Sequence, residues 1–452
     1  GLGDVYKRQV PDAFVLVSFA VLPDGYTREG RHCAELVRSM TACGAVDAVG
    51  LNCVSAPGAM RALVQQLGET ELPLAVMPNA GYPVVTRTRV QYQGRPEYFA
   101  RELARLAAEG VRILGGCCGT TPAHIAALRA ALDALPETLP AAPAAAVSTA
   151  AKPEVEKDDA FLRKLNAGKK VIAIELDSPK DADMTGYLDG ARRLQAAGAD
   201  LLTIADCPIA RARMDSSLVA CRVHRELGLN VLPHMTCRDR NLNATKALLL
   251  GLYAEGVREV LAITGDPIPT AERDEVKNVY QFNSRKLAQY IVSLAGEGRE
   301  MPSPLTVFGA LNLNARNFDV ELRRAQEKLQ NGMSGFLTQP VLSAQAVVNL
   351  KKTRETLGEK AKILAGIMPV VSQRNAIFME NEVNGIHVDA EIIERFAGLD
   401  RAQGEELGLE VSVKAAQAAA PYADGFYLMT PFNRIALMER LIARLKDEGI
   451  AD

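Results

Sequence analysis

KVIAIELDSPKDADMTGYLDGARRLQAAGADLLTIAD, residues Lys170–Asp206, decides the fold. It opens on a short apolar, β-branched run, Lys170–Asp177, which reads as a strand. Tyr187, Gly190, Ala191 and Leu194 then recur at helical spacing. Gly198 sits where a helix stops on a left-handed residue. A second apolar run follows at Asp200–Ala205. The same grammar continues downstream. Further strands are expected at Asn230–Thr236, Glu259–Thr264, Leu305–Asn312, Gly335–Gln339, Ile363–Met368 and Gly425–Met429. Gly228, Gly256 and Gly332 repeat the stop, and Leu322, Ala325 and Leu329 repeat the helical spacing. Eight strands, each followed by a helix, over roughly 290 residues predict a (β/α)8 TIM barrel. A doubly wound α/β sheet would prefer a Gly-rich phosphate loop after its first strand, and ELDSPK at Glu175–Lys180 offers none.

Upstream, Leu135–Lys157 is rich in Ala and Pro without an apolar period, the composition of an exposed, semi-stiff linker. The chain therefore divides into 1–133, a linker at 134–159 and a barrel at 160–450. The first piece shows four strands, Phe14–Phe19, Val46–Cys53, Leu72–Met77 and Arg112–Gly116. Helices are expected at Arg28–Cys43, Ala56–Leu67, Pro96–Ala108 and Pro122–Leu132. Four units are half of a second barrel. Such a half has two open edges, so it is expected to be unstable alone or to pair with another copy as a homo-oligomer. There is no initiator Met, and residues 1–9 do not lead into the strand that follows; they read as a truncation or a non-native end.

Composition excludes several classes. The 452 residues carry a formal net charge of −2, so no basic footprint for nucleic acid or an anionic membrane exists. No apolar run is long enough for a membrane span, and no signal-peptide pattern is present. Eight cysteines in a chain of this size fit reduced or metal-bound thiols, and a cytoplasmic location is expected.

Barrel enzymes place their chemistry at the C-terminal ends of strands. Glu175, Thr203, Asp206, His234, Thr236, Asp266, Asn312, Gln339 and Asn375 all fall there. Any one alone reads as an ordinary loop cap. Recurrence at the same end of nearly every strand argues for a site. His234 by itself is equally a hydrogen-bonded core histidine, and Lys328 lies on an amphipathic helix whose lysines are usually solvated. Cys207, Cys221 and Cys237 have no paired spacing and read as ordinary reduced thiols; Met368 and Met429 read as core. In the first piece, Cys53 and the Cys117-Cys118 pair stand at or just after strand ends. They can supply three thiolates to one Zn2+ and leave its fourth position open for a thiol substrate. Cys33 and Cys43 lie on an expected helix and are not counted as ligands.

The motifs PHMTC (233–237), ITGDP (263–267), FGALN (308–312), GFLTQP (335–340), GIMP (366–369) and VNGI (383–386) resemble methylenetetrahydrofolate reductase, in the family's order, over nearly all of Phe161–Gly449. The resemblance implies a (β/α)8 flavoprotein that uses FAD and NADH or NADPH to reduce 5,10-methylenetetrahydrofolate to 5-methyltetrahydrofolate. It implies that Glu175 is the general acid and that Asp266 is a carboxylate near flavin and folate. Gln339, Asn375 and Arg434 match substrate contacts. Thr203, His234, Thr236, Gly265, Asp266, Ser284, Asn312 and Lys328 match flavin contacts. The chain departs from the pattern at Thr264 (often Arg), Leu313 (often Pro), Asn375 (Gln in some relatives), and at Glu321, Arg324 and Glu327. A non-catalytic flavin- or folate-binding regulatory protein is the alternative; a pure binder need not keep Glu175 and Asp266.

GGCCGTTP (115–122), the earlier Cys53 and PNAGYP (78–83) resemble the homocysteine S-methyltransferases. In that family a zinc-bound homocysteine thiolate takes an activated methyl group and yields methionine. The resemblance covers the C-terminal half of that barrel, and the family's opening DGAMGT-like strand has no counterpart. The chain as given is therefore expected to lack methyltransferase activity, and the full-length protein to have it.

Overall fold

The computed structural model describes residues 10, 12–23, 25–27, 31–53, 55–67, 70–81, 83–85, 90–92, 94–135, 159–269, 276–296, 299–383 and 385–451. The chain forms two compact units, Gly1–Pro153 and Glu154–Asp452. Most of the expected linker falls outside the described residues.

The first unit holds strands β1 (Leu16–Ala20), β2 (Ala48–Asn52), β3 (Leu74–Met77), β4 (Pro83–Val85), β5 (Val90–Tyr92) and β6 (Ile113–Leu114). Its helices are α1 (Cys33–Cys43), α2 (Pro57–Leu67), α3 (Pro96–Ala108) and α4 (Pro122–Asp133). β1, β2, β3 and β6 pair in that order as a parallel sheet. This is the expected set of four strands, arranged as an open partial barrel among the described residues. β4 and β5 form a separate antiparallel hairpin that the sequence reading lacked. The helix expected from Arg28 begins at Cys33, where the His32 ring accepts from the Ala34 N–H as its N-cap; residues 28–30 lie outside the described set. Val49, Leu51, Val76, Phe99 and Leu103 join β2, β3 and α3 in one apolar core.

The second unit is the expected barrel. β7 (Val171–Glu175), β8 (Leu201–Ile204), β9 (Asn230–Thr236), β10 (Glu259–Ile263), β11 (Thr306–Leu311), β12 (Gly335–Pro340), β13 (Lys362–Ile367) and β14 (Gly425–Met429) close into one parallel ring. Helix α5 (Ala160–Asn166) precedes it. Then α6 (Thr185–Ala197), α7 (Ser216–Leu227), α8 (Leu242–Ala254), α9 (Ser284–Ser293), α10 (Phe318–Gln330) and α11 (Ala344–Leu357) follow successive strands. Gly198 and Gly228 cap α6 and α7 with φ of 108° and 66°, as their positions predict. The expectation of one helix per strand needs correction after β13. That crossover carries α12 (Gln373–Glu382), α13 (Ala390–Arg395) and α14 (Arg401–Ala419), before α15 (Ile435–Asp447) ends the fold.

Helix α5 decides which end of the barrel is open. Phe161 and Leu165 are buried against Val171, Leu201, Leu232, Phe308 and Leu364 inside the ring. Asp159, its N-cap, accepts from Leu162 N and from Asn230 Nδ2 at the start of β9. Lys164 pairs with Asp200 just before β8. Burying a Phe contributes roughly 1.5–3 kcal/mol, so the plug is firm. The N-terminal mouth is filled, and polar chemistry is confined to the strands' C-terminal ends. No described helix is long and apolar enough to cross a membrane.

Candidate active sites

Glu175 is the last residue of β7, in register with Thr203 of β8 and Met429 of β14. Two residues before Met429, Tyr427 points into the ring. Its hydroxyl donates to Glu175 Oε2. His234 of β9 brings Nε2 to 3.8 Å from the same oxygen, too far for a hydrogen bond. The His234 side chain is 7% exposed and that of Glu175 23%. Burial pushes the Glu175 carboxyl up to about 7; the Tyr427 hydrogen bond pulls it down and the charge of Asp177 adds to the rise. Burial pushes His234 down to about 4, so the imidazole is neutral near pH 7. His234 Nε2 is buried without a hydrogen-bond partner. Buried polar atoms left so are costly unless a ligand meets them.

Beside this pocket lies a charged lattice. Asp206 Oδ2 accepts from Thr236 N at 3.0 Å, Thr236 Oγ1 at 2.9 Å and Arg240 Nη1 at 2.7 Å. Arg240 also reaches Asp215 at 2.6 Å. Gly265 has φ +92°, and a Cβ there would stand 2.9 Å from Thr236 Cβ. Glycine thus lets the backbone before Asp266 close on the end of β9. Asp266 Oδ2 accepts from Ile209 N at 2.8 Å, and its carbonyl accepts from Arg238 Nη1 and the Tyr280 hydroxyl. Ile209 itself has a φ of 55°, a strained value for a β-branched residue, and is exposed.

On the far strands, Asn312 Oδ1 accepts from Asn314 N, and Asn314 Nδ2 donates to the Gly385 carbonyl, tying β11 to the VNGI loop. Lys328 is not a solvated helix lysine. Its side chain is 13% exposed, and Nζ donates to the Ala310 carbonyl of β11 at 2.5 Å. Gln339 is half-buried on β12, where the register with β13 shifts between Leu337 and Pro340. Ser284 opens α9 behind its N-cap Asn283. Asn375 is held by its own helix start: Oδ1 accepts from Val371 N and its N–H donates to Ser372 Oγ. Arg434 pairs with Glu405 at 2.7 Å. The ring therefore brings Glu175, Thr203 and His234 together, and groups Thr236, Gly265 and Asp266 around Asp206 and Ile209. Asn375 is engaged within the crossover after β13, and Arg434, beyond β14, pairs with Glu405 of that crossover.

In the first unit the loop 78–80 stitches three strand ends together. Cys53 N donates to Met77 O, Cys117 N to Pro78 O, and Ala80 N to Cys118 O. The three sulfurs converge. Cys118 Sγ lies 3.4 Å from Cys53 Sγ and 4.0 Å from Cys117 Sγ, while Cys53 and Cys117 are joined as a disulfide. A tetrahedral zinc with bonds of about 2.3 Å sets sulfur–sulfur edges of about 3.8 Å. Two of the three edges fit; the third pair must be reduced before it can ligate.

The sequence profile of methylenetetrahydrofolate reductase matches residues 160–446. The chain belongs to the methylenetetrahydrofolate reductase family. The profile of homocysteine S-methyltransferase matches residues 4–132 of the same chain, so both resemblances hold. Over 89 residues the chain is 44% identical to the methionine synthase of Mycobacterium tuberculosis, covering 19% of this chain and 8% of that protein. Over 122 residues it is 35% identical to the homocysteine S-methyltransferase of Escherichia coli, covering 26% of this chain and 39% of that protein. The chain thus spans well under half the length of these relatives. Among solved structures, a Clostridium thermocellum protein described as binding two copies of 5-methyl-5,6,7,8-tetrahydrofolic acid is similar with a TM-score of 0.47 and 13% identity, over 64% of this chain and 99% of that one.

Within this reductase-family barrel, the sequence reading missed Tyr427, Arg240 and Ile209. Tyr427 stands in the apolar run GFYLM, where an inward polar tip looks like core; its even spacing from Met429 was the available signal. Arg240, in CRDRN just after β9, was marked by charge alone.

Proposed function

We propose that the barrel reduces 5,10-methylenetetrahydrofolate to 5-methyltetrahydrofolate with FAD and NADH or NADPH, and that the first unit carries the zinc-ligand half of a homocysteine S-methyltransferase, without methyltransferase activity of its own. The observation that carries the reductase reading is the Glu175 pocket. Opening the substrate's five-membered ring requires a proton at the departing nitrogen. Glu175, with a carboxyl near pH 7 beside a neutral His234, is suited to hold that proton and release it. Asp266 supplies a fixed negative charge for the cation that ring opening creates; Ile209 N orients one of its oxygens and leaves the other available. FAD, when bound, supplies the hydride. Thr203, His234, Ser284, Asn312 and Lys328 would hold it, and the buried, unpartnered His234 Nε2 fits a ligand that brings it a hydrogen-bonding group.

In the first unit Cys53, Cys117 and Cys118 would hold zinc, which activates a bound thiol by lowering its pKa. The need for reduced thiols favours a cytoplasmic setting. The test is anaerobic spectroscopy of the FAD-loaded chain, reduced and then mixed with methylenetetrahydrofolate. Return of the oxidised flavin bands is expected, with Glu175→Gln retaining flavin and losing that return. A wild-type flavin that stays reduced would overturn the reading.

A further inference from the structure

We propose that Tyr427 is a positioning residue for the proton donor: its hydroxyl decides which oxygen of Glu175 carries the transferable proton. The proposal rests on the reading of Glu175 as the acid. A carboxylic acid accepts its strong hydrogen bond on the carbonyl oxygen and donates from the other. Tyr427 donates to Oε2. Oε2 is therefore the carbonyl oxygen, and the acid proton sits on Oε1.

The surroundings keep that assignment fixed. Four titratable groups face Glu175: Tyr427 from β14, His234 from β9, Tyr187 from α6 and Asp177 from the loop after β7. Burial holds the Tyr427 and Tyr187 phenols well above their usual range, and the charge of Glu175 raises both further, so both stay protonated. Asp177 is paired with Arg213 at 3.2 Å. His234 is neutral, so no cation competes with Tyr427 for Oε2.

The step balances without moving the phenol proton. The Oε1–H bond of Glu175 breaks, and an N–H bond forms at the departing folate nitrogen. The electron pair of the N–CH2 bond goes to that nitrogen, and the carbon becomes the iminium centre. The negative charge left on Glu175 is shared with the Tyr427 O–H, a charge-assisted bond stronger than the one it made to the acid.

Tyr427→Phe removes only the hydroxyl. Two readouts apply. The first is an infrared titration of the protonated-carboxyl band in the flavin-free chain, with Glu175→Gln as the subtraction reference. A hydrogen bond to a charged group changes an ionisation constant by about ten- to a hundredfold, so the wild-type midpoint is expected to rise by about one to two pH units in Tyr427→Phe. The second is oxidation of reduced flavin by methylenetetrahydrofolate in the loaded enzyme. A loss of about tenfold or more in rate is expected, with folate affinity nearly unchanged and the basic limb of the pH profile moved upward. Should Tyr427→Phe fail to load flavin, 3-fluorotyrosine at 427 tests the same bond, since a more acidic phenol must move the infrared midpoint downward. An unchanged midpoint in both variants overturns the proposal. Full activity of Glu175→Gln would instead overturn the reading of Glu175 as the acid, while the infrared titration still measures the Tyr427 bond.

Discussion

Glu175→Gln is expected to stabilise the barrel above neutral pH while abolishing its chemistry. The argument starts from the ionised form. In the unfolded chain Glu175 ionises at its ordinary value of 4.5; in the barrel, burial moves this to about 7. A carboxyl raised by folding binds its proton more tightly in the native state. Its contribution to stability is therefore full below the unfolded value and is lost as pH rises towards the folded value. At about 1.4 kcal/mol per pH unit, a rise of this size corresponds to roughly 3 kcal/mol. The side chain remains 23% exposed; solvent reaches the charge, so that figure is a ceiling and about 1–2 kcal/mol is the working expectation. Glutamine keeps an acceptor for the Tyr427 hydroxyl and removes only the titration. Urea unfolding of wild type and Glu175→Gln, from pH 4.5 to 8.5, is the assay. The two curves should nearly coincide at the acid end, separate between about 5 and 7, and run parallel above. A stability difference that stays constant across this range would refute the reasoning, because a merely altered packing contact does not titrate.

Three further outcomes are expected. The reduced chain should bind one Zn2+ per molecule and lose most of that affinity in Cys117→Ser, read as metal content after competition with a chelator; stoichiometric zinc in the variant would remove Cys117 from the ligand set. Gly265→Ala should lower stability by about 1–3 kcal/mol, since its φ of +92° is unfavourable for a side chain and the new Cβ would press on Thr236; an unchanged urea midpoint would mean the loop yields freely. Arg240→Leu should cost about 3–5 kcal/mol, because it strands the Asp206 carboxylate, whose side chain is only 2% exposed; the two donors from Thr236 place the expectation at the lower end, and thermal unfolding measures it.

The barrel was legible because its signals repeat. Asn230–Thr236 and Gly425–Met429 have the bounds that their apolar runs predict, since each strand is enclosed, and the helix before β9 stops at Gly228. The crossover after β13 was less legible. Residues 373–419 carry no strong apolar stripe, so their division into three helices depends on tertiary packing of Ala376, Met379, Phe396 and Val411 into a satellite core. The β4–β5 hairpin was missed because three-residue strands leave too little pattern to read. The alternative reading of Lys328 as a solvated helix lysine fails for a related reason. Helical spacing fixes where its stem begins, not that its ammonium reaches Ala310 beneath the strand end. The cysteine trio was legible as a donor set, but whether two sulfurs are thiolates or a disulfide depends on redox state, which no spacing encodes.

The Glu175 carboxyl, raised by burial, differs from the other carboxylates at this mouth in its partners. Asp206 is the more deeply buried, yet it holds a guanidinium and two further donors. Asp177 has Arg213, and Asp266 has a backbone N–H in open surroundings. Glu175 has a phenol and, at ion-pair range among the described residues, only His234, which burial keeps uncharged. Glu175 thus differs from the other carboxylates at this barrel mouth in having no cationic partner among the described residues. A cation placed beside Glu175 would hold it ionised near neutral pH and remove the proton that the proposed ring opening requires. On the proposed reading, a neutral His234 is therefore as necessary as the carboxyl itself.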